Sequence, residues 1–209
     1  MKPSPFKFTI GRGSWADQIR YYTAEINPHY WAGFLPLNDE GIVGIEQSVG
    51  RRLPADFKAF LRVFGCGNFP EPFGGNIYTP EQFVHGCYGH LFMILGSSKW
   101  ASNEEHRRFY TSHGTFNPVP EKYTPEALLF EGVHLLDLLQ FGTDGGCGYH
   151  QVYVGEPKGT IGYCLLTPDA TMEDESPSFS EGLRRILTHH WQWGEPEELP
   201  GGLNVDFEP

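Results

Sequence analysis

The chain has 209 residues, with 15 Lys and Arg against 26 Asp and Glu, a net charge of −11 at neutral pH. That length fits one domain, or one domain with decorated ends, and buries about 70% of the surface the unfolded chain exposes, so folding requires neither disulfide nor metal. A charge balance of this sign argues against binding to nucleic acid or to an anionic membrane surface.

The surplus is unevenly placed. Residues 1–110 carry 11 cationic and 10 anionic side chains, whereas residues 111–209 carry 4 and 16. The second half therefore projects a negative field that speeds encounter with a basic partner and weakens with salt. Met1 to Ile10 lacks the apolar stretch of a signal peptide, and no run is long enough to span a bilayer, so a soluble, cytoplasmic protein is expected. Cys66, Cys87, Cys147 and Cys164 are scattered without a Cys-x-x-Cys pair, the pattern of reduced, buried thiols.

In chain order, Phe6 to Ile10 has strand character, and Ser14 is placed to cap a helix reaching about Asn27, with Trp15, Ile19, Tyr22 and Ile26 on one stripe before Pro28. Asn38, Asp39 and Glu40 supply a cap and two acids to a second helix whose inner face is Ile42, Ile45 and Val49. Gly50 is placed to end it in a left-handed conformation. Pro54 opens the third helix, in which Phe57, Phe60, Leu61 and Phe64 form a single apolar stripe ahead of Gly65.

Phe69 to Tyr78 reads as a loop with a short strand near Asn76–Thr79, then a helical turn at Pro80–Val84. Leu91–Leu95 predicts a buried strand, Ser97–Tyr110 a solvated helix and Thr111–Pro125 a loop. Strands are expected near Ala127–Phe130, Leu135–Phe141, Tyr149–Val154 and Thr160–Leu165, with Asp144-Gly145-Gly146 as a hairpin turn. The acidic run Asp169 to Glu175 reads as a solvated loop. Ser178 and Glu181 then form a capping box for a last helix lined by Phe179, Leu183, Ile186 and Leu187. The tail after Trp193, acidic and proline-rich without Lys or Arg, reads as mobile. Helices first, strands in the middle and a closing helix predict an α+β fold, with helices packed on one mainly antiparallel, mixed sheet.

Catalytic chemistry is poorly supported. His85, Cys87 and His90 fall within six residues and would be the core of a metal-dependent enzyme, but structural zinc needs four converging ligands and no second cluster lies near. Gly11-x-Gly13-x-x-Ala16 imitates a dinucleotide loop, yet the acids some twenty residues on, Asp39 and Glu40, start a helix rather than end a strand. No Gly-x-Ser-x-Gly elbow occurs. His189 and His190 fit a surface position at the end of the last helix. No catalytic residue, metal or cofactor is expected. The candidates for binding a basic partner are Asp144, Asp169, Glu173, Asp174 and Glu175, with exposed aromatics as anchors.

Three segments together carry a family resemblance. Glu46 to Phe69 combines a Glu, Gly50, Leu53-Pro54, the aromatic Phe57, Phe60-Leu61 and a closing Gly65; Leu135 to Val154 offers strand, Asp-Gly turn and strand; Ser178-Phe179-Ser180-Glu181-Gly182-Leu183 is a Ser-Phe-x-Glu-x-Leu helix start. In this order and spacing they resemble the SUKH superfamily of Smi/Knr-like proteins. Phe57 stands where family members commonly carry Tyr. The resemblance implies a SUKH-like domain over 38–193, preceded by an N-terminal extension over 1–37 with a helix and followed by the acidic tail 194–209. It also implies binding rather than catalysis: a bacterial immunity protein that neutralises a cognate, basic, nuclease-like toxin by direct contact. The alternative it leaves open is a regulatory scaffold in cell-wall or signalling assemblies.

Overall fold

The computed structural model describes residues 3–86, 129–130, 133–146, 148–155, 161–167 and 171–193. The expected strand at Leu91–Leu95, the helix at Ser97–Tyr110, the loop at Thr111–Pro125, the cluster of Cys87 and His90, and the tail after Trp193 lie outside these residues, as does Asp169.

Three helices come first: α1 (Trp15–Ile26), α2 (Asp39–Val49) and α3 (Ala55–Val63), with the short β1 (Phe34–Leu35) between α1 and α2. Then follow β2 (Cys66–Asn68), β3 (Asn76–Ile77), α4 (Pro80–Gly86), β4 (Leu129–Phe130), β5 (Val133–His134), β6 (Leu138–Thr143), β7 (Tyr149–Tyr153), β8 (Tyr163–Leu166), β9 (Met172–Ser176) and α5 (Phe179–Trp193). Seven strands form one sheet in the order β1-β2-β3-β6-β7-β8-β9, every pairing antiparallel, while β4 and β5 form a separate pair. This is the α+β architecture the sequence predicts, and it excludes the doubly wound parallel sheet of a dinucleotide fold.

The helix signals act largely as read. Asn38 Oδ1 accepts a hydrogen bond from the Gly41 N–H at 2.8 Å, and Gly50 ends α2 at φ 66°. Glu46 then staples the link to α3: its Oε1 accepts from the Leu53 N–H at 2.8 Å and from Lys58 Nζ at 3.0 Å. Partial burial opposes the charge on Glu46, but these contacts and the nearby cations outweigh it and hold the carboxyl below its ordinary range. Pro54 lies one position outside α3, and Phe57, Phe60, Leu61 and Phe64 are all buried.

Several expectations need correction. Ser14 precedes α1, but its side chain caps nothing. Phe6 to Ile10 joins no sheet; it is an extended strap whose Phe6, Phe8 and Ile10 enter the main core while Lys7 and Thr9 stay exposed, so its alternation reflects packing without pairing. The strand expected from Leu135 begins at Leu138, after a 3₁₀ turn over Leu135–Asp137. The acidic run is no loop at its end: Met172–Ser176 is the terminal strand of the sheet.

The helices cover one face of the sheet. Alternation along β6 turns Phe141, like Leu139, toward them, and its ring centroid lies 5.0 Å from that of Phe57 and 5.5 Å from that of Phe179. Phe57 also touches Phe179 at 4.7 Å and Phe83 at 6.0 Å, so one side chain joins α3, α4, β6 and α5. Beside it, Asp56 Oδ2 accepts from the Ser180 N–H at 2.9 Å and from Ser180 Oγ at 3.1 Å, so the start of α5 is capped from α3. The opposite face, with Leu138, Gln151, Cys164, Leu166 and Met172, is also closed to solvent. Cys66 and Cys164 are both buried, and burial pushes the Cys66 thiol up to about 12. Among the described residues no helix is long and apolar enough to cross a membrane.

Because Phe57 is fully enclosed at this junction, Phe57→Ala is expected to lower the unfolding free energy by about 3–5 kcal/mol. A urea titration reads this as a lower midpoint at unchanged slope; an unchanged midpoint would contradict the packing.

Candidate functional site

A cavity of about 480 Å³ opens on the helix-covered face, between the β8–β9 side of the sheet, the β6–β7 turn and the outer half of α5. Interlocked glycines fix its position. A Cβ on Gly75, whose φ is +77°, would lie 2.3 Å from the Thr143 carbonyl oxygen, and one on Gly145, at φ +83°, would lie 2.5 Å from the Gly75 nitrogen. Only backbone without side chains can approach so closely. The contact pins the loop 69–75, which carries Phe69 and Phe73, against the turn that carries Asp144.

That turn is longer than the tight hairpin the Asp-Gly pair suggests. Asp144 spans it, with Oδ1 accepting from the Gly146 and Gly148 N–H groups, both at 2.9 Å. On β9 a bulge does comparable work. The pairing steps from Tyr163–Ser176 to Leu165–Glu173, so β9 holds one residue more than β8, and Asp174 takes a left-handed φ of 53°. Strict alternation would send neighbouring side chains to opposite faces; the bulge lets both Glu173 and Asp174 border the cavity. The Arg185 guanidinium of α5 reaches Asp174 at 3.3 Å, with both side chains about half exposed.

Three of the acids singled out in the sequence, Asp144, Glu173 and Asp174, thus meet at one cavity. Glu175 is exposed on β9 but does not line it. The inner wall escaped the sequence reading. His190 is no surface residue: it is buried, its Nδ1 is bonded to the Tyr30 hydroxyl, and its ring stacks on Phe73 at 4.5 Å. His150 is likewise buried, its Nδ1 2.9 Å from the Tyr163 hydroxyl. Burial pushes His150 down to about 4, against the pull of the Asp144 and Asp174 carboxylates, and pushes His190 down to about 3 with help from His189 and His150. Both rings are neutral at pH 7 and cancel none of the acidic charge.

A signal for both histidines exists in the sequence. His150 alternates with Val152 along its strand, and His190 continues the Phe179, Leu183, Ile186, Leu187 stripe of the last helix.

A roomier cleft of about 760 Å³ lies by the α2–α3 link, bordered by Arg51, Arg52, Asp56 and Asp137. Its charges are largely spent internally, since Arg51 pairs with Asp137 at 3.3 Å and Asp56 caps α5. Among the described residues no three His, Cys, Asp or Glu side chains converge as a metal site.

The sequence pattern of the SMI1 / KNR4 family (SUKH-1) matches residues 36–185. No curated protein matches the chain. The matched region includes Asp144, His150, Tyr163, Glu173, Asp174 and Arg185, and stops short of His190.

The two neutral histidines set a pH dependence. Unfolded, each takes a proton near pH 6.5; folded, each resists it until about 4 or below. Their contribution to stability is complete above about pH 6.5 and falls, as pH drops toward 4, by up to about 1.4 kcal/mol per pH unit per histidine. Denaturant midpoints should therefore fall between neutral pH and pH 5, and His150→Gln should flatten the dependence; midpoints that stay level over that interval would refute the burial of neutral imidazoles.

Proposed function

The chain belongs to the SMI1 / KNR4 family (SUKH-1), and on that footing we propose that it is a non-catalytic protein-binding domain, an immunity protein that neutralises a cognate toxin by direct contact in the cytoplasm. The single observation that carries the reading is the cavity where Asp144, Glu173 and Asp174 gather beside imidazoles that add no positive charge. Such a patch favours a cationic protein surface of the kind a nuclease uses to hold its substrate. Occluding that surface requires no turnover. The excess of acidic residues over 111–209 extends the same field and supports fast, salt-sensitive association.

Co-expression with the toxin encoded beside it tests the proposal. Growth should be restored and the two proteins should copurify. Affinity should fall as ionic strength rises, and combined Glu173→Lys and Asp174→Lys substitutions should weaken it by about tenfold or more. Continued killing with no detectable complex would sink the immunity reading. Capture of several endogenous partners in place of one toxin would favour a regulatory scaffold of the same fold.

A further inference from the structure

One imidazole ring holds two loops to the last helix. His190, only 6% exposed, bonds through Nδ1 to the Tyr30 hydroxyl of the loop before β1, while the Phe73 ring stacks on it at 4.5 Å and the Phe69 ring meets it edge-on at 5.1 Å. Phe69 and Phe73 both belong to loop 69–75. That loop closes on itself through the Phe69 N–H, donated to the Gly75 carbonyl, and the Phe73 N–H, donated to the Pro70 carbonyl, both at 3.1 Å. The strands it joins are weakly secured. β2 and β3 pair only at Gly67–Ile77 and Asn68–Asn76, and β3 and β6 only at Asn76–Thr143 and Ile77–Gly142. Segments with so few backbone bonds open more readily than the core.

The His190 ring is badly placed to carry charge. The loops packed on it bring Tyr30, the exposed His29 and the exposed Glu71. Across the cavity stand His150 and Tyr163 from the sheet, Asp144 from the β6–β7 turn, Glu173 and Asp174 from β9, and Arg185 and His189 from α5 itself. Burial pushes His190 down to about 3, helped by His189 and His150, and no carboxylate among the described residues pulls the other way. His150 differs on both counts. Asp144 and Asp174 favour its proton, and β7 is laddered to β6 on one side and β8 on the other. Of the two buried imidazoles, His190 is the one whose surroundings can move.

We propose that His190 is an acid-released clasp: once protonated, its ring no longer holds Phe69 and Phe73, and loop 69–75 unfolds locally from α5 while the core around Phe57 stays packed. One wall of the cavity leaves with the loop, so acidification dismantles the site before it unfolds the domain. This goes beyond the binding role and holds whatever occupies the cavity. In the closed state the ring resists a proton until about pH 3, and in the open state it takes one near pH 6.5. Closure is therefore at full strength above about pH 6.5, and it weakens nearly tenfold for each pH unit below that.

Amide hydrogen exchange on the full chain at pH 7, 6 and 5, corrected for the intrinsic effect of pH on exchange, tests the clasp above the range where carboxylates ordinarily titrate. Protection of the Phe69 and Phe73 amides should fall about twentyfold between pH 7 and pH 5, from a level already below that of the β6–β7 ladder. His190→Gln should abolish this fall, whereas His150→Gln and His189→Gln should keep it. Four results would each overturn the clasp: protection that stays level in the unaltered chain, a fall that survives His190→Gln, a fall that vanishes with His150→Gln or His189→Gln, or loop amides no better and no worse protected than the β6–β7 ladder at every pH.

Discussion

Phe57 is the point where α3, α4, β6 and α5 are held to one another, and the position of the acidic cavity follows from that junction. Its ring meets Phe83, Phe141 and Phe179, each from a different element. Burying such a side chain stabilises by roughly 1.5–3 kcal/mol, and each well-placed aromatic pair adds about 0.5–1.5 kcal/mol. Asp56, the preceding residue, caps the start of α5. Adjacent residues of one short helix therefore fix both the packing and the origin of α5. The C-terminal half of α5 carries Arg185, His189 and His190 to the cavity, so orientation established in the core is delivered at the surface some two turns away.

The cavity owes its electrostatic character to a contest that burial wins. Asp144 and Asp174 both favour a protonated His150, yet enclosure in the wall keeps the ring neutral. The same enclosure holds the Tyr163 hydroxyl protonated, pushed well above its ordinary range by burial and then by the Asp174 carboxylate. Carboxylates backed by uncharged, poorly hydrated groups keep a stronger outward field than carboxylates ringed by cations. In the roomier cleft near Arg51, paired charges leave far less.

Much of this was legible in the sequence because local rules set it. The apolar stripe from Phe57 to Phe64, the left-handed Gly50 and the Asn38 cap each depend on neighbours a few positions away, and each stands as read. The alternation of Phe6, Phe8 and Ile10 was visible too, but alternation reports which side chains are buried, not whether the backbone finds a partner strand. The acidic strand β9 escaped notice because Glu173, Asp174 and Glu175 have little strand propensity; pairing with β8 and a bulge override it. The cavity itself could not be read, since it depends on Gly75 meeting Gly145, residues seventy positions apart whose close approach leaves no local trace. The acids were identified by composition, and the imidazoles beside them became visible only once the fold had brought them together.

The two outer strands of the main sheet carry a further consequence. At one margin β1 spans two residues and runs into Pro36, which has no N–H to offer. At the other, β9 is kinked by Asp174 and carries three exposed carboxylates in succession. Neither margin presents the straight, uncharged row of peptide groups on which another molecule could template itself. The sheet is thus guarded at both margins against edge-to-edge addition of a further strand, one by its shortness and a proline, the other by a kink and charge.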